Sequence, residues 1–219
     1  MVAIQFEPVY GCSMFVMTID QRDSQNTADG VPALLQKLAA VPVVLPFERS
    51  VGDEVQGVLT DPATVVDTAL AVLREGTWYV GIGVGAVAEP LPASPREASG
   101  PAFVAARSAV ERAKKTGDRP PLAVAGSAGA PEAEAVLVLL GRLVQERSPA
   151  EWRVLEHAQP GKWGAMSEAA RKLGISSQAV SKAAQRSGWQ EEWAARPAAA
   201  VLLARADELS RPQPGPQPG

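Results

Sequence analysis

The sequence predicts an α+β chain in two parts. A mixed strand-and-helix domain covers residues 1–125, an all-helical domain covers 132–209, and residues 126–131 link them. Three observations lead there. In the first part, apolar runs of strand length alternate with stretches whose apolar residues recur every three or four positions. After GSAGAP, at 126–131, strand-like runs cease and helical spacing takes over. Within the second part, SEAARKLGISSQAVSKAAQRSG, from Ser167 to Gly188, reads as two short helices around a glycine turn.

The first element is SMFVMTID, residues 13–20, a buried strand with Asp20 at its C-terminal end. Val31, Leu34, Leu35 and Leu38 then give a helix over 31–40. Residues 41–48 form a strand that Pro42 and Pro46 confine to a sheet edge, because proline cannot donate to a ladder. The turn ERSVG leads to DEVQGVLT, residues 53–60, where Val55, Gly57 and Leu59 oppose Gln56 and Val58; the two strands make a hairpin. Asp61 caps the next helix with Pro62 at its first position. WYVGIGVGAVA, from Trp78 to Ala88, is a strand whose glycines allow close backbone approach. A loop with three prolines follows, then a helix over Pro101 to Lys115 and a short strand, LAVAG. The order β-α-β-β-α-β-α-β is an α+β pattern with an antiparallel hairpin inside it.

The helical part opens with an apolar helix, Glu132 to Glu146. Ser148-Pro149 caps a second, which stops before Pro160-Gly161. Two short helices fill 167–173 and 177–187, and a last one spans about 190–209, with Pro197 expected to kink or interrupt it. The tail at 210–219 is rich in proline and glycine and is expected to be disordered.

Composition narrows the chemistry. One cysteine, Cys12, excludes an internal disulfide and a thiolate metal cluster. One histidine, His157, leaves no partner set for a Ser-His-Asp triad or a histidine zinc site. No apolar run reaches membrane-spanning length and no secretory leader pattern opens the chain, so the expectation is a cytoplasmic protein. Residues 1–119 carry ten Lys/Arg against fourteen Asp/Glu, a net of −4, whereas residues 160–190 carry five against one, a net of +4. The positive charge is local and coincides with the two-helix pattern, as a nucleic-acid footprint does.

That pattern is a helix-turn-helix reading. Ser167 caps the first helix, and Ala169, Ala170 and Leu173 face inward. Gly174 supplies the turn, and Ile175 fills the space between the helices. Ser176 or Ser177 caps the second helix, and Val180 and Ala183 pack it back on the first. The second helix is then the reader of double-stranded DNA, with Ser177, Gln178, Ser181, Lys182 and Gln185 outward. Glutamine pairs bidentately with adenine, and lysine takes guanine or phosphate. Lys162, Arg171, Lys172 and Arg186 are the phosphate clamps. With no arginine among those outward residues, discrimination by one copy is modest, and a homodimer on two half-sites would supply the rest.

In the first domain, Asp20 and Asp53 can meet at one sheet edge, and two carboxylates there could hold Mg²⁺ with triphosphate oxygens. Ordinary turn chemistry accounts equally for Asp53. The element order, with TIDQRDS around Asp20 and ERSVGDEVQG around Asp53, resembles the ferredoxin-like catalytic domain of class III nucleotide cyclases. Adding GIGVG (Gly81 to Gly85), GPAFVAARSAVERAK (Gly100 to Lys114) and the C-terminal helix-turn-helix, the chain is similar to the SatD family over about residues 13–190. The cyclase resemblance implies metal-binding roles for Asp20 and Asp53, a nucleoside triphosphate as ligand, and a phosphate-stabilising role for Arg107. Active cyclases carry an asparagine one turn before that arginine; here it is Phe103, which implies a site that binds a nucleotide without cyclising it. The leading expectation is a DNA-binding transcription regulator with a cyclase-like sensor or dimerisation domain. A nucleotide cyclase or other Mg²⁺-dependent nucleotide-processing enzyme, and a nucleotide-binding protein-interaction module, are the alternatives.

Overall fold

A computed structural model of the chain describes residues 9–158 and 164–211. Five strands, β1 (Val9–Gln21), β2 (Leu45–Arg49), β3 (Glu54–Leu59), β4 (Trp78–Glu89) and β5 (Leu122–Ala125), form one sheet in the order β2-β3-β1-β4-β5. The first four run antiparallel to their neighbours, and β5 joins β4 in parallel. The hairpin is present, but β2 begins at Leu45 rather than 41, beyond Pro42. Pro46 is tolerated because β2 is an edge strand.

Side chains of β1 alternate between the two faces of the sheet. Phe15, Met17 and Ile19 point to one face, where they pack with Val55, Leu59, Val80, Ile82, Leu122 and Val124. Helices α1 (Val31–Leu38) and α2 (Pro62–Arg74) cover that face. Asp61 caps α2 as expected, accepting from the backbone N–H groups of Ala63 and Thr64, with Pro62 in the first turn.

The same face is completed from beyond the expected linker. Helices α4 (Ala130–Gln145) and α8 (Trp189–Ser210) send Ala133, Leu137, Leu140, Ala199 and Leu203 into the core that α1 and α2 share with the sheet. Leu137 and Leu203 are fully buried, each worth about 1.5–3 kcal/mol relative to exposure. One core thus runs through 126–131, and α4 starts at Ala130, inside that segment. Pro197 sits within α8, which remains one continuous helix. The expected interruption is absent because both halves are anchored, by Trp189 and Glu192 before the proline and by Ala199, Leu203 and Ala206 after it.

Helix α3 (Pro101–Ala113) lies alone on the opposite face. It approaches β4 backbone to backbone. A Cβ on Gly83 would stand 2.0 Å from the Ala102 carbonyl oxygen, and one on Gly81 would stand 2.4 Å from the Val110 nitrogen. These glycines therefore set the height of α3 above the sheet.

Between α4 and α8 the chain makes a small helical unit of α5 (Pro149–Leu155), α6 (Ala165–Leu173) and α7 (Ser177–Arg186). Ser148 and Glu151 close a reciprocal capping box at the start of α5. Val154, Ala169, Ala170, Val180 and Ala183 form the unit's own core, and Leu155, Ala158, Ala184 and Trp189 seat it on the start of α8. No helix among the described residues is long and apolar enough to cross a membrane.

Candidate functional site

Helix α6 begins at Ala165 behind Gly164, so Ser167 lies inside the helix instead of capping it. Gly174 ends α6 at φ 67°, the left-handed conformation glycine adopts without strain. Two residues on, the Ser176 hydroxyl accepts from the Ala179 N–H at 3.1 Å and caps α7. Val180 and Ala183 pack on Ala169 and Ala170, as their spacing predicts. Ile175 departs from expectation: it is 41% exposed and lies at the edge of an open groove with Leu173, Ala179 and Ala183, so it does not fill the space between the helices.

With Val180, Ala183 and Ala184 turned inward, the outer side of α7 is fixed. Gln178, Ser181, Lys182 and Gln185 recur at i, i+3, i+4 and i+7 on the opposite side, all exposed, as is Ser177 at the first turn. Arg171, Lys172 and Arg186 are exposed beside them. Lys172 pairs with Glu168 at 3.1 Å and Arg186 stands 3.8 Å from Glu151. The first is an exposed i,i+4 pair of small worth, and the second joins an exposed arginine to a mostly buried Glu151 beyond hydrogen-bond reach. Among the described residues, Arg171 and Lys182 have no carboxylate within ion-pair distance. Lys162, the remaining expected clamp, lies outside the described residues. His157 is exposed and takes no part.

The acidic cluster lies at the far end of β1, on the face that α3 covers. Asp20 stands directly opposite Glu54 in the β1–β3 register, and the next same-face pair is Thr18 and Gln56. All four are buried, and Gln56 Nε2 donates to Thr18 Oγ1 at 3.3 Å. Asp53 sits in the turn before β3, half-buried, close enough for its charge to act on Asp20. From α3 and its C-terminal end come Arg107, exposed and acting on Glu54, and Lys114, whose Nζ lies 2.9 Å from both Asp20 Oδ2 and Glu111 Oε1. Spaced seven residues apart, Arg107 and Lys114 share a helical side about two turns apart.

Burial raises the Asp20 carboxyl above its ordinary value; Lys114 works against the rise, and Asp53 and Glu111 add to it. Burial likewise raises Glu54, against the opposing charge of Arg107. Burial works to lower Lys114, but its bonds to Asp20 and Glu111 leave it above the usual lysine value.

Sequence reasoning placed Asp20 and Asp53 at one sheet edge and the cyclase resemblance added Arg107; the structure sets Asp53 close enough to act on Asp20, and Arg107 close enough to act on Glu54 opposite it. That reasoning missed Glu54 and Lys114. For Glu54 the signal was present, since strand alternation puts Glu54, Gln56 and Val58 on one face. The cluster faces an ammonium where a metal was expected. Among the described residues no group of three or more His, Cys, Asp or Glu is placed to hold a metal ion. In this arrangement the Asp20 carboxylate that was expected to meet Mg²⁺ is paired with Lys114. Phe103 packs with Leu91 and Ala98 over the apolar part of the same face.

No protein-family model, no curated protein and no solved structure matches this chain.

Proposed function

We propose that this protein is a DNA-binding transcription regulator in which α6 and α7 act as a helix-turn-helix and α7 enters the major groove. The observation that carries this reading is the outer side of α7. Every described residue assigned to DNA from its spacing is exposed, and the residues of α7 assigned to packing, Val180 and Ala183, are buried, although Leu173 is half-buried and Ile175 exposed. Gln178 and Gln185 then face base edges, while Arg171, Lys172, Lys182 and Arg186 meet phosphates. The sheet serves as sensor or dimerisation unit. The four-strand order β2-β3-β1-β4, with α1 and α2 on one face, supports its reading as a ferredoxin-like, cyclase-like domain. Similarity to the SatD family belongs to the same reading. Phosphoryl transfer is not part of it, since Lys114 neutralises Asp20 and Phe103 stands where cyclases carry asparagine.

The test is fluorescence anisotropy with a labelled duplex, titrated between about 50 and 200 mM salt. Four phosphate-directed cations per copy give a log K against log salt slope near −3.6 per copy, from about −0.9 per contact. Replacing Arg171 by alanine reduces that slope by about 0.9 per copy, while Gln178→Ala relaxes sequence preference and leaves the slope unchanged. Absence of binding at low salt, or binding indifferent to salt, refutes the reading.

A further inference from the structure

Helices α4 and α8 close the core with one side and leave the other uncovered. They run antiparallel: a Cβ on Gly129 would stand 3.0 Å from Ala206 Cα, and one on Gly188 would stand 3.0 Å from Leu143 Cδ2. Val136 lies seven residues from both Gly129 and Leu143, so it faces the same seam, and Leu202 does so on α8, fourteen residues after Gly188; both are half-buried. Midway between the two contacts, Ala135 and Val136 come level with Ala198. On the side away from the sheet, Leu139 of α4 is 67% exposed and Val201 of α8 is 66% exposed. Single exposed apolar residues are ordinary, but a run of them across two packed helices marks an interaction face.

The charges say what fits that face. Along the outer side of α8, Glu191, Ala194, Ala198, Val201, Arg205 and Glu208 recur at alternating spacings of three and four, and all are exposed. That is the spacing with which one helix packs along another. The middle of the line is apolar and its ends are charged. Glu191 precedes Ala198 by seven residues and Arg205 follows it by seven. Among the described residues neither has an opposite charge within ion-pair distance. The line is therefore complementary to itself. A two-fold axis through Ala198 sets Glu191 opposite the partner's Arg205, and does so twice. It also brings Val201 level with the partner's Ala194 and Ala195, whose small side chains leave room for it. Glu208 falls a turn beyond the charged pair.

We propose that the α4–α8 face is the surface on which a second copy of this chain docks, with the two α8 helices antiparallel across Ala198. Residues 191–208 of α8 span about 27 Å, and two helices side by side present about 20 Å of width. The two copies together then bury about 1,000 Å², the lower bound of a specific interface, so the dimer is a weak and reversible one. From the proposed regulator this takes over only the expectation of a homodimer. It gives the contact to α8, leaves the sheet as sensor, and does not depend on α7 meeting DNA.

The test is sedimentation equilibrium of the full chain, without DNA, from about 1 to 300 μM. The wild type should pass from monomer to dimer mass within that range and no further. Ala198→Glu sets two carboxylates against each other on the axis and should leave only monomer. Val104→Glu, an exposed change on α3, should leave dimerisation unchanged. Glu191→Arg or Arg205→Glu makes both cross-pairs repulsive and should weaken self-association about tenfold. The double reversal restores opposite charges at both and should return the affinity to within about threefold of wild type. Circular dichroism melts within about 2 °C of wild type show that each variant is folded. A wild type that stays monomeric, a dimer that Ala198→Glu leaves intact, or a double reversal no tighter than the single ones overturns the proposal. No duplex is present, so these outcomes do not bear on the reading of α7, and absence of DNA binding leaves the dimer standing.

Discussion

Glu192 is the residue on which the junction between the sheet and the α5–α7 unit depends. It is fully buried, and its two oxygens are divided between Arg147, itself buried, and Arg196. Replacing it by leucine removes the only carboxylate within ion-pair distance of Arg147 among the described residues. Arg196 keeps Asp67 and the face of Trp193, so one guanidinium and not two is orphaned. Arg147 keeps the Ser187 carbonyl and the Trp152 ring at 4.9 Å, neither of which carries a full charge. Burial already pulls its pKa below the usual arginine range, with Glu192 opposing that pull. Breaking a buried pair from one side costs about 3–5 kcal/mol. At about 2–4 °C per kcal/mol for a chain of this size, Glu192→Leu should lower Tm by about 6–20 °C. Circular dichroism melts and urea titrations of the single variants and of Arg147→Met/Glu192→Leu measure it. The double variant should recover most of the loss, since an apolar pair of similar volume is often neutral or better. A single-variant loss under about 1 kcal/mol, or a double variant whose cost is the sum of the singles, refutes the buried-charge reasoning.

Three further outcomes are expected. Gly83→Ala places its Cβ against the Ala102 carbonyl oxygen. It should cost at least about 1–3 kcal/mol in urea unfolding, whereas alanine at Gly52, open to solvent at φ 61°, meets only its backbone penalty of about 1–2 kcal/mol. Gly174→Ala, at φ 67° with open space around it, should cost about 1–2 kcal/mol of local stability, read as faster amide exchange in α6 and α7 with the sheet unchanged. Glu54→Gln should stabilise the fold at neutral pH. Because the folded pKa is raised by burial, the stability that protonated Glu54 contributes is full below about 4.5 and is lost as pH rises through the folded value. The gain from glutamine therefore grows across that window, and a gain independent of pH counts against the burial account.

Local chemistry made much of the fold readable. Asp61-Pro62, Ser148-Pro149 and Gly174 each mark a helix end by a mechanism confined to three or four residues, and the structure places helix ends at all three. The alternation of DEVQGVLT and the glycines of β4 were equally legible, because sheet faces follow from a period of two. The destination of α4 and α8 was not. Their apolar spacing states that one side is buried but not against what, and the helical composition after residue 131 suggested a separate domain. At the acidic cluster, Asp20 stood out as a charge at the end of an apolar strand. Lys114 did not, since its value depends on how far α3 descends onto Gly81 and Gly83.

The placement of α4 and α8 gives the α5–α7 unit an unusual attachment. It leaves the core at the end of α4 and returns at the start of α8, with Arg147 and Glu192 joining the two exits side by side. A unit carried on a single C-terminal tether could swing freely. One looped out between two fixed posts cannot. Further ties hold it to α2, through Glu156 and Arg74, and to α8, through the packing of Leu155, Ala158 and Ala184 on Trp189. The position of α7 is therefore set by the core that α4 and α8 share with the sheet.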